Sequence, residues 1–179
     1  RIHLQTNYFQ FFRKMLLIYT HKSTNRLRYI LNLIFNDLLG VEYLITTKRD
    51  EFENWENEKI NYSYQYDEKA LNIYPVNLLF ESEIKQQEIN HITFNNINCP
   101  FAVYKRSDIP FDVFAASFYL VSRYEEYLPY KKDPYGRFSA SESISFKLGF
   151  LHLPVVNIWS ELLKELLSGK FPDMRFKIK

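Results

Sequence analysis

The residues best suited to chemistry form an arginine–carboxylate group in the second half of the chain. Arg123 stands three residues before Glu126 in the segment S-R-Y-E-E-Y, and Asp133, Tyr135 and Arg137 follow in D-P-Y-G-R. Side chains three apart on a helix can meet, and a planar guanidinium matches a carboxylate in bidentate fashion. Such a group could hydrogen-bond sugar hydroxyls while a tyrosine ring stacks against the sugar. It could equally lock a helix end to the turn that follows, which is the commoner role of such a pattern.

Other kinds of site have little support in the sequence. The four histidines form no H-x-x-x-H or H-x-E pair, so local motifs predict no metal site. With 4 glycines and neither a G-x-G-x-x-G motif nor a phosphate loop, no nucleotide cofactor is expected. Glu125 and Glu126 are adjacent. Neighbouring helical residues point about 100° apart, which suits a paired acid–base mechanism poorly.

A weaker candidate follows the first predicted strand. His21 and Lys22 precede Ser23 and Thr24 at the start of a predicted helix. In open parallel sheets, ligands favour the carboxyl ends of strands and the N-termini of helices. Anion binding is one interpretation of this segment, and a capped helix beside a solvated histidine is the more common one.

The composition argues against several classes of function. The 179 residues carry a net charge of +2, with lysine and arginine spread among glutamate and aspartate, whereas nucleic-acid binders usually show a clustered basic face. No apolar run approaches the ~18 residues of a membrane span. Cys99 is the single cysteine, so no disulfide within the chain is possible. Residues 1–14 lack the apolar core of a signal peptide. We expect a cytoplasmic protein that neither binds nucleic acid nor spans a membrane.

The first part of the chain predicts a βαβ unit. Residues 16–20 form a short apolar run typical of a buried strand, and residues 25–39 repeat apolar positions at helical spacing. The serine and threonine just before this helix can cap it, and Gly40 can end it with a positive φ. Residues 41–47 form the next strand. A strand–helix–strand order with short loops predicts two parallel strands.

The middle of the chain predicts antiparallel pairing. Residues 60–66 alternate apolar and polar side chains, which is the period of a half-buried strand, and residues 71–74 are the expected hairpin partner. Further strands are expected at residues 92–97 and 101–104, separated by residues 98–100. The sheet is therefore expected to be mixed, with an antiparallel part.

The remaining elements complete a single predicted domain. Asp108, followed by a proline, can open a helix, and Pro154 opens a last apolar helix. The D-P-Y-G tetrapeptide has the signature of a type I turn. We predict one α/β domain over residues 15–179, with residues 1–14 as an extension. Its mixed sheet would contain one βαβ unit plus antiparallel strands, covered by about three helices.

Three motifs stand in a fixed order in the second half of the chain. They are F-D-V-F-A-A-S-F-Y-L-V-S-R-Y-E-E-Y at Phe111–Tyr127, D-P-Y-G-R-F at Asp133–Phe138 and G-F-L-H-L-P-V-V-N-I-W at Gly149–Trp159. In these motifs the chain resembles the N-terminal region of a group of bacterial polysaccharide deacetylase family proteins. The resemblance runs from about residue 15 to the end and is strongest after Ser107. In that group a catalytic deacetylase barrel follows, with an Asp-rich strand motif and a two-histidine metal motif.

The resemblance implies an accessory domain rather than the deacetylase itself. The chain contains neither the Asp-rich strand motif nor an H-x-x-x-[ST]-x-x-x-H pattern, so no catalytic or metal-binding residue of the family carries over. The implied role is a noncatalytic module of a metal-dependent carbohydrate esterase that acts on N- or O-acetylated polysaccharide. Its partners would be the catalytic domain of the same polypeptide and the polysaccharide. The arginine–carboxylate group would be the contact surface for that domain or for the glycan.

Two alternatives remain open at the level of sequence. One is a binding module without an attached enzyme, which recognises a glycan or a protein through exposed tyrosines. The other is a self-sufficient hydrolase that uses Glu125 or Glu126 with His152.

Overall fold

A parallel sheet of four strands lies at the centre of the computed structural model, which describes residues 15–177. The strands are β1 (Leu16–Thr20), β2 (Tyr43–Thr46), β3 (Lys59–Tyr62) and β4 (Leu71–Asn72). They lie side by side in the order β2-β1-β3-β4, and all three neighbouring pairs are parallel. β1 is therefore an inner strand, which explains why its apolar run is buried.

The predicted βαβ unit is confirmed. Helix α1 spans Asn25–Leu31 and continues as a π-helix over Asn32–Leu38. The side chain of Thr24 caps α1 by accepting a hydrogen bond from the Leu27 N–H at 3.2 Å. Gly40, with a φ of +62°, leads the chain out of the helical segment into β2, which pairs in parallel with β1.

Further helices cover the sheet. They are α2 (Arg49–Glu53), α3 (Val113–Val121), α4 (Ile144–Lys147) and α5 (Val155–Lys170), with 3-10 segments at Asn77–Phe80, Tyr124–Tyr127 and Ala140–Glu142. Helix α3 begins later than predicted because Asp112, not Asp108, caps it. Asp112 Oδ1 accepts hydrogen bonds from the N–H groups of Phe114 and Ala115 at 3.1 and 3.0 Å. Across residues 15–177, every helix is too short or too polar to reach across a lipid bilayer.

β3 and β4 do not form the expected hairpin, because the two strands are parallel. Only eight residues separate Tyr62 from Leu71, which leaves no room for the helix that usually connects parallel strands. The side chain of Asn72 holds this short crossover together. Its Nδ2 donates to the carbonyl oxygens of Asp67 and Ala70 at 2.7 and 2.8 Å.

β3 is buried on both faces rather than half-buried as predicted. Ile60 and Tyr62 point into the main core, and Lys59 and Asn61 on the opposite face are also buried. Lys59 Nζ donates to the carbonyl oxygen of Phe52 in α2 at 3.1 Å. The period of two indicates correctly which residues share a face. It does not show that α2 covers the polar face.

The antiparallel strands form a hairpin apart from the main sheet. β5 (His91–Phe94) pairs with β6 (Ile97–Pro100). The turn between them contains Asn95 and Asn96, with φ values of +49° and +62°, as a type I′ turn requires. The predicted separation of the two strands by residues 98–100 is therefore wrong, because these residues belong to β6. An antiparallel pair in this region is confirmed.

The core lies between the main sheet and three main helices, which are α1 with its π-helical continuation, α3 and α5. The Trp159 ring of α5 packs against Phe111 and Phe150, with centroids 5.2 and 6.2 Å apart. A smaller cluster around Phe52 covers the opposite face of the sheet, and Trp55 packs against it. The predicted fold class, a mixed α/β domain with about three main helices, is confirmed.

Candidate functional site

The predicted arginine–carboxylate group consists of two ion pairs on the surface. Arg123 contacts Glu126, and Nη2 of Arg137 lies 3.0 Å from Oδ2 of Asp133. Within residues 15–177, no hydrogen bond or ion pair joins one pair to the other. The arginine side chains are 73% and 71% exposed, and ion pairs this open to solvent contribute little to stability.

Arg123 lies at the end of α3 rather than within a continuing helix. Its φ of +52° is left-handed, and the chain then enters the 3-10 segment Tyr124–Tyr127. The Glu126 N–H donates to the Arg123 carbonyl oxygen at 2.9 Å. This turn, not the helical spacing assumed in the sequence analysis, brings the two side chains together.

Asp133 organises a short exposed segment, residues 130–138, which we call the arm. Its Oδ1 accepts hydrogen bonds from the backbone N–H groups of Tyr135 and Arg137 at 2.8 and 2.9 Å. These hydrogen bonds, the one from Arg137 above all, hold the pKa of Asp133 below its ordinary value. A β-turn at the predicted position is confirmed, because the Gly136 N–H donates to the Asp133 carbonyl oxygen at 2.9 Å.

The arm presents aromatic and basic side chains to solvent. Tyr135 is 81% exposed, and the Arg137 guanidinium lies 5.0 Å from its ring centroid. At the base of the arm, Tyr130 and Phe138 pack edge to face at 5.2 Å, and Lys132 pairs with Phe138 across it. Tyr135 is therefore held on an ordered turn, and such a surface suits contact with another domain or with a sugar ring.

Glu125 has a different role from Glu126. Its Oε1 accepts a hydrogen bond from the Ile144 N–H at 2.8 Å, at the start of α4. Burial raises the pKa of Glu125, and the hydrogen bond from Ile144 opposes that effect. In the described part of the chain, no hydrogen bond joins Glu125 or Glu126 to His152. No group of three or more His, Cys, Asp or Glu side chains within residues 15–177 is placed to hold a metal ion.

A second surface lies at the carboxyl edge of the sheet, by which we mean the loops that follow β1, β3 and β4. His21 packs between the rings of Tyr64 and Phe80, with centroids 5.0 and 4.1 Å away. Tyr74 meets Tyr64 edge to face at 5.4 Å. The Tyr64 hydroxyl donates to Asn77 Oδ1 at 3.1 Å. This cluster could not be predicted from the sequence, because the contact between its rings depends on strand order.

Two side-chain donors at the start of α1 already bond to backbone carbonyl oxygens, which disfavours the anion-binding interpretation. Lys22 Nζ donates to the Phe80 carbonyl oxygen at 2.8 Å, and the Thr24 hydroxyl donates to that of Leu79 at 2.5 Å. Burial, aided by the nearby Lys22 charge, lowers the pKa of His21, so the imidazole is neutral near neutral pH. An anion would therefore have to compete with backbone carbonyl oxygens for Lys22 and Thr24.

Comparison with known proteins gives a family without an assigned activity. No curated protein and no solved structure shows significant similarity to the chain. The model of DUF7033, described as a family of unknown function, matches residues 16–172. The matched region runs from β1 to just beyond α5 and includes the arm and the carboxyl edge. The chain therefore belongs to the DUF7033 family.

Proposed function

We propose that this chain is a noncatalytic accessory domain of a polysaccharide deacetylase-like carbohydrate esterase, and that the arm contacts the catalytic domain. The resemblance of the three motifs is the basis for naming this class of enzyme. In this reading the domain supports the catalytic domain or shapes the approach of the polysaccharide.

The packing of the three motifs supports the idea of a shared domain. Phe111 of the first motif contacts Trp159 of the third, with ring centroids 5.2 Å apart. Glu125 of the first motif bonds to the Ile144 N–H, between the second and third motifs. Because these residues fix the fold, we infer that the motifs shared with the deacetylase family proteins specify the same structural unit rather than the same set of reacting groups.

The observation that carries the proposal is the ordered, exposed arm. Hydrogen bonds to Asp133 fix the backbone of its turn, yet Tyr135 and Arg137 point into solvent. Tyrosine and arginine are enriched where proteins bind one another. A rigid turn also loses little conformational freedom when it binds.

The first test is to read the gene beyond Lys179. An in-frame Asp-rich strand motif and two-histidine motif support the accessory role, and a stop codon contradicts it. In the full-length enzyme, Arg123→Ala and Arg137→Ala should lower the melting temperature or the affinity for polysaccharide while metal content stays constant. Lys69→Ala, at an exposed site away from both ion pairs, is the control. Unchanged melting and turnover in both arginine variants would remove this surface from consideration.

The second candidate is a stand-alone module that binds a glycan or a protein. Three highly exposed tyrosines favour it: Tyr104, Tyr127 and Tyr135 are 76%, 67% and 81% exposed. Binding of the 179-residue chain to a glycan or protein partner, together with a stop codon after Lys179, would support this candidate over the first.

A further inference from the structure

The sheet has a topological switch point between β1 and β3. From β1 the chain passes through α1 to β2 on one side, and then returns to β3 on the other side of β1. The two connecting helices lie on opposite faces, because α1 packs with Ile18 and α2 packs with Leu17. In open α/β sheets of this kind, ligands bind in the crevice beyond the carboxyl ends of the strands at the switch point.

Aromatic rings lie together at this edge of the sheet. His21 follows β1 directly, Tyr64 lies in the loop after β3, and Tyr74 lies in the segment after β4. Tyr64 is 46% exposed, and His21 is also exposed. The ring centroids of His21 and Tyr64 lie 5.0 Å apart and the rings are inclined by only 32° to each other, so they pack together and are exposed to solvent as one aromatic group.

Polar groups stand beside the rings. The Tyr64 hydroxyl is held by Asn77 Oδ1 at 3.1 Å. Asn77 is exposed, and within residues 15–177 its amide nitrogen donates no hydrogen bond. This edge therefore combines aromatic rings with a free amide donor and an imidazole, which are the kinds of group that line small-molecule sites.

The arrangement discriminates between classes of ring-shaped ligand. A nucleotide base could stack on these rings, but its phosphates would need free cationic or backbone donors. Lys22 Nζ and the Thr24 hydroxyl already donate to the carbonyl oxygens of Phe80 and Leu79, so a phosphate would have to compete with these hydrogen bonds. A pyranose ring has an apolar face of C–H groups that packs on an aromatic ring, and hydroxyls that suit neutral donors and acceptors.

We propose that the carboxyl edge of the sheet is a glycan-binding site, in which His21, Tyr64 and Tyr74 hold a sugar ring of a neutral, N-acetylated polysaccharide and Asn77 hydrogen-bonds its polar substituents. The choice of glycan rests on the proposed function, because that function supplies an acetylated polysaccharide as substrate. The site would place the polymer on the accessory domain, separate from the arm that contacts the catalytic domain.

The test is a titration of the isotopically labelled 179-residue chain with chitohexaose, followed by amide chemical shifts. We expect shifts concentrated at residues 21–24, 63–66 and 74–77, with a dissociation constant of about 1 mM or tighter. Adenosine monophosphate, which offers a stacking base with a phosphate, should not shift these amides. The absence of shifts up to about 10 mM chitohexaose, shifts confined to the arm, or binding of the nucleotide at the same residues would overturn the proposal.

Substitutions separate binding from folding. Tyr64→Ala should weaken chitohexaose binding at least about tenfold, whereas Tyr64→Phe keeps the ring and should stay within about threefold of the parent. Tyr29→Ala is the matched control, since Tyr29 is 51% exposed but lies on α1, and it should bind like the parent. If Tyr64→Ala does not fold by circular dichroism, His21→Ala replaces it with the same expected loss. Parental affinity in a folded Tyr64→Ala or His21→Ala chain would contradict the role of these rings.

The failure of this proposal and the failure of the proposed function can be told apart. A stop codon after Lys179 would remove the accessory role without affecting chitohexaose binding. If the gene encodes an intact esterase but the chain does not bind chitohexaose, the accessory role is retained and the glycan-binding site is excluded.

Discussion

Replacing Asp112 by alanine should destabilise the domain more than any exposed substitution, because this carboxylate connects three separate segments. Its Oδ1 caps α3, while Oδ2 accepts hydrogen bonds from the Tyr62 hydroxyl at 2.7 Å and from the Val76 N–H at 2.8 Å. Tyr62 belongs to β3, and Val76 precedes the 3-10 segment at Asn77–Phe80. Asp112 and Tyr62 are both fully buried, so water cannot readily replace the lost acceptor.

The magnitude follows from the groups that would be left without a partner. Loss of an N-cap costs about 1–2 kcal/mol, and each stranded buried donor costs about 1–3 kcal/mol. With two donors outside the helix, these ranges sum to about 3–8 kcal/mol, with a midpoint of about 5–6 kcal/mol. Removing the buried charge returns up to about 3 kcal/mol, because burial raises the pKa of Asp112 from 3.8 to about 6. We therefore expect Asp112→Ala to lower the free energy of unfolding by about 2–3 kcal/mol.

Urea denaturation near neutral pH measures this loss, with the slope of the transition checked for constancy. Asp37→Ala is the control, because Asp37 is exposed on the π-helical segment and should cost less than about 0.5 kcal/mol. If Asp112→Ala fails to fold, Tyr62→Phe removes a single donor and should cost about 1 kcal/mol. An Asp112→Ala loss no larger than that of the control would refute the reasoning.

Three further predictions concern pH and backbone geometry. Burial raises the pKa of Asp112 from 3.8 to about 6, so the folded state binds this proton more tightly than the unfolded state does. The free energy of unfolding should therefore fall as pH rises from about 4 through about 6. Asp112→Asn should remove this pH dependence. An Asp112 carboxyl that titrates below about 4 by NMR would contradict the prediction. Gly40→Ala should cost about 2 kcal/mol, because φ is +62° and the new Cβ would stand 2.1 Å from the Lys177 carbonyl oxygen. The cost should shrink in a chain truncated after Asp173, and equal costs in both chains would count against the contact. Arg123→Gly should be about 1 kcal/mol more stable than Arg123→Ala in urea, since φ is +52° there; equal stabilities would argue against a strained left-handed residue.

Local signals account for the part of the fold that the sequence predicts. The strand at β1, the cap at Thr24 and the parallel pairing of β1 with β2 follow from neighbouring residues, and all three are present. The parallel pairing of β3 with β4 was missed, because it depends on Asn72 bonding to a loop rather than on a turn sequence. Buried Lys59 was missed because its partner is a backbone carbonyl in α2, seven residues away.

For the candidate surfaces, too, contacts between residues close in sequence were predictable and contacts between distant residues were not. Short spacing predicts that Arg123 can meet Glu126, and this contact occurs. Asp133 and Arg137, expected to belong to the same group, pair with each other instead. The helix assumed around Arg123 was wrong, because a left-handed residue there cannot be inferred from a strongly apolar helical pattern. The sequence does place His21 at the carboxyl end of the first strand, but the packing of its ring with Tyr64 and Phe80 could not be predicted, since it depends on strand order.

The acidic residues of the three motifs have a common structural use. Asp112 accepts from the first-turn N–H groups of α3, Glu125 from the Ile144 N–H at the start of α4, and Asp133 from two N–H groups of the arm. Each carboxylate thus satisfies backbone donors that a helix start or turn leaves unpaired. Glu126 differs from these three, because its contact is with the exposed Arg123 side chain. The acidic content of the motifs is therefore explained mainly by capping, and the residues left for contact with a partner are Glu126, its arginine and the tip of the arm.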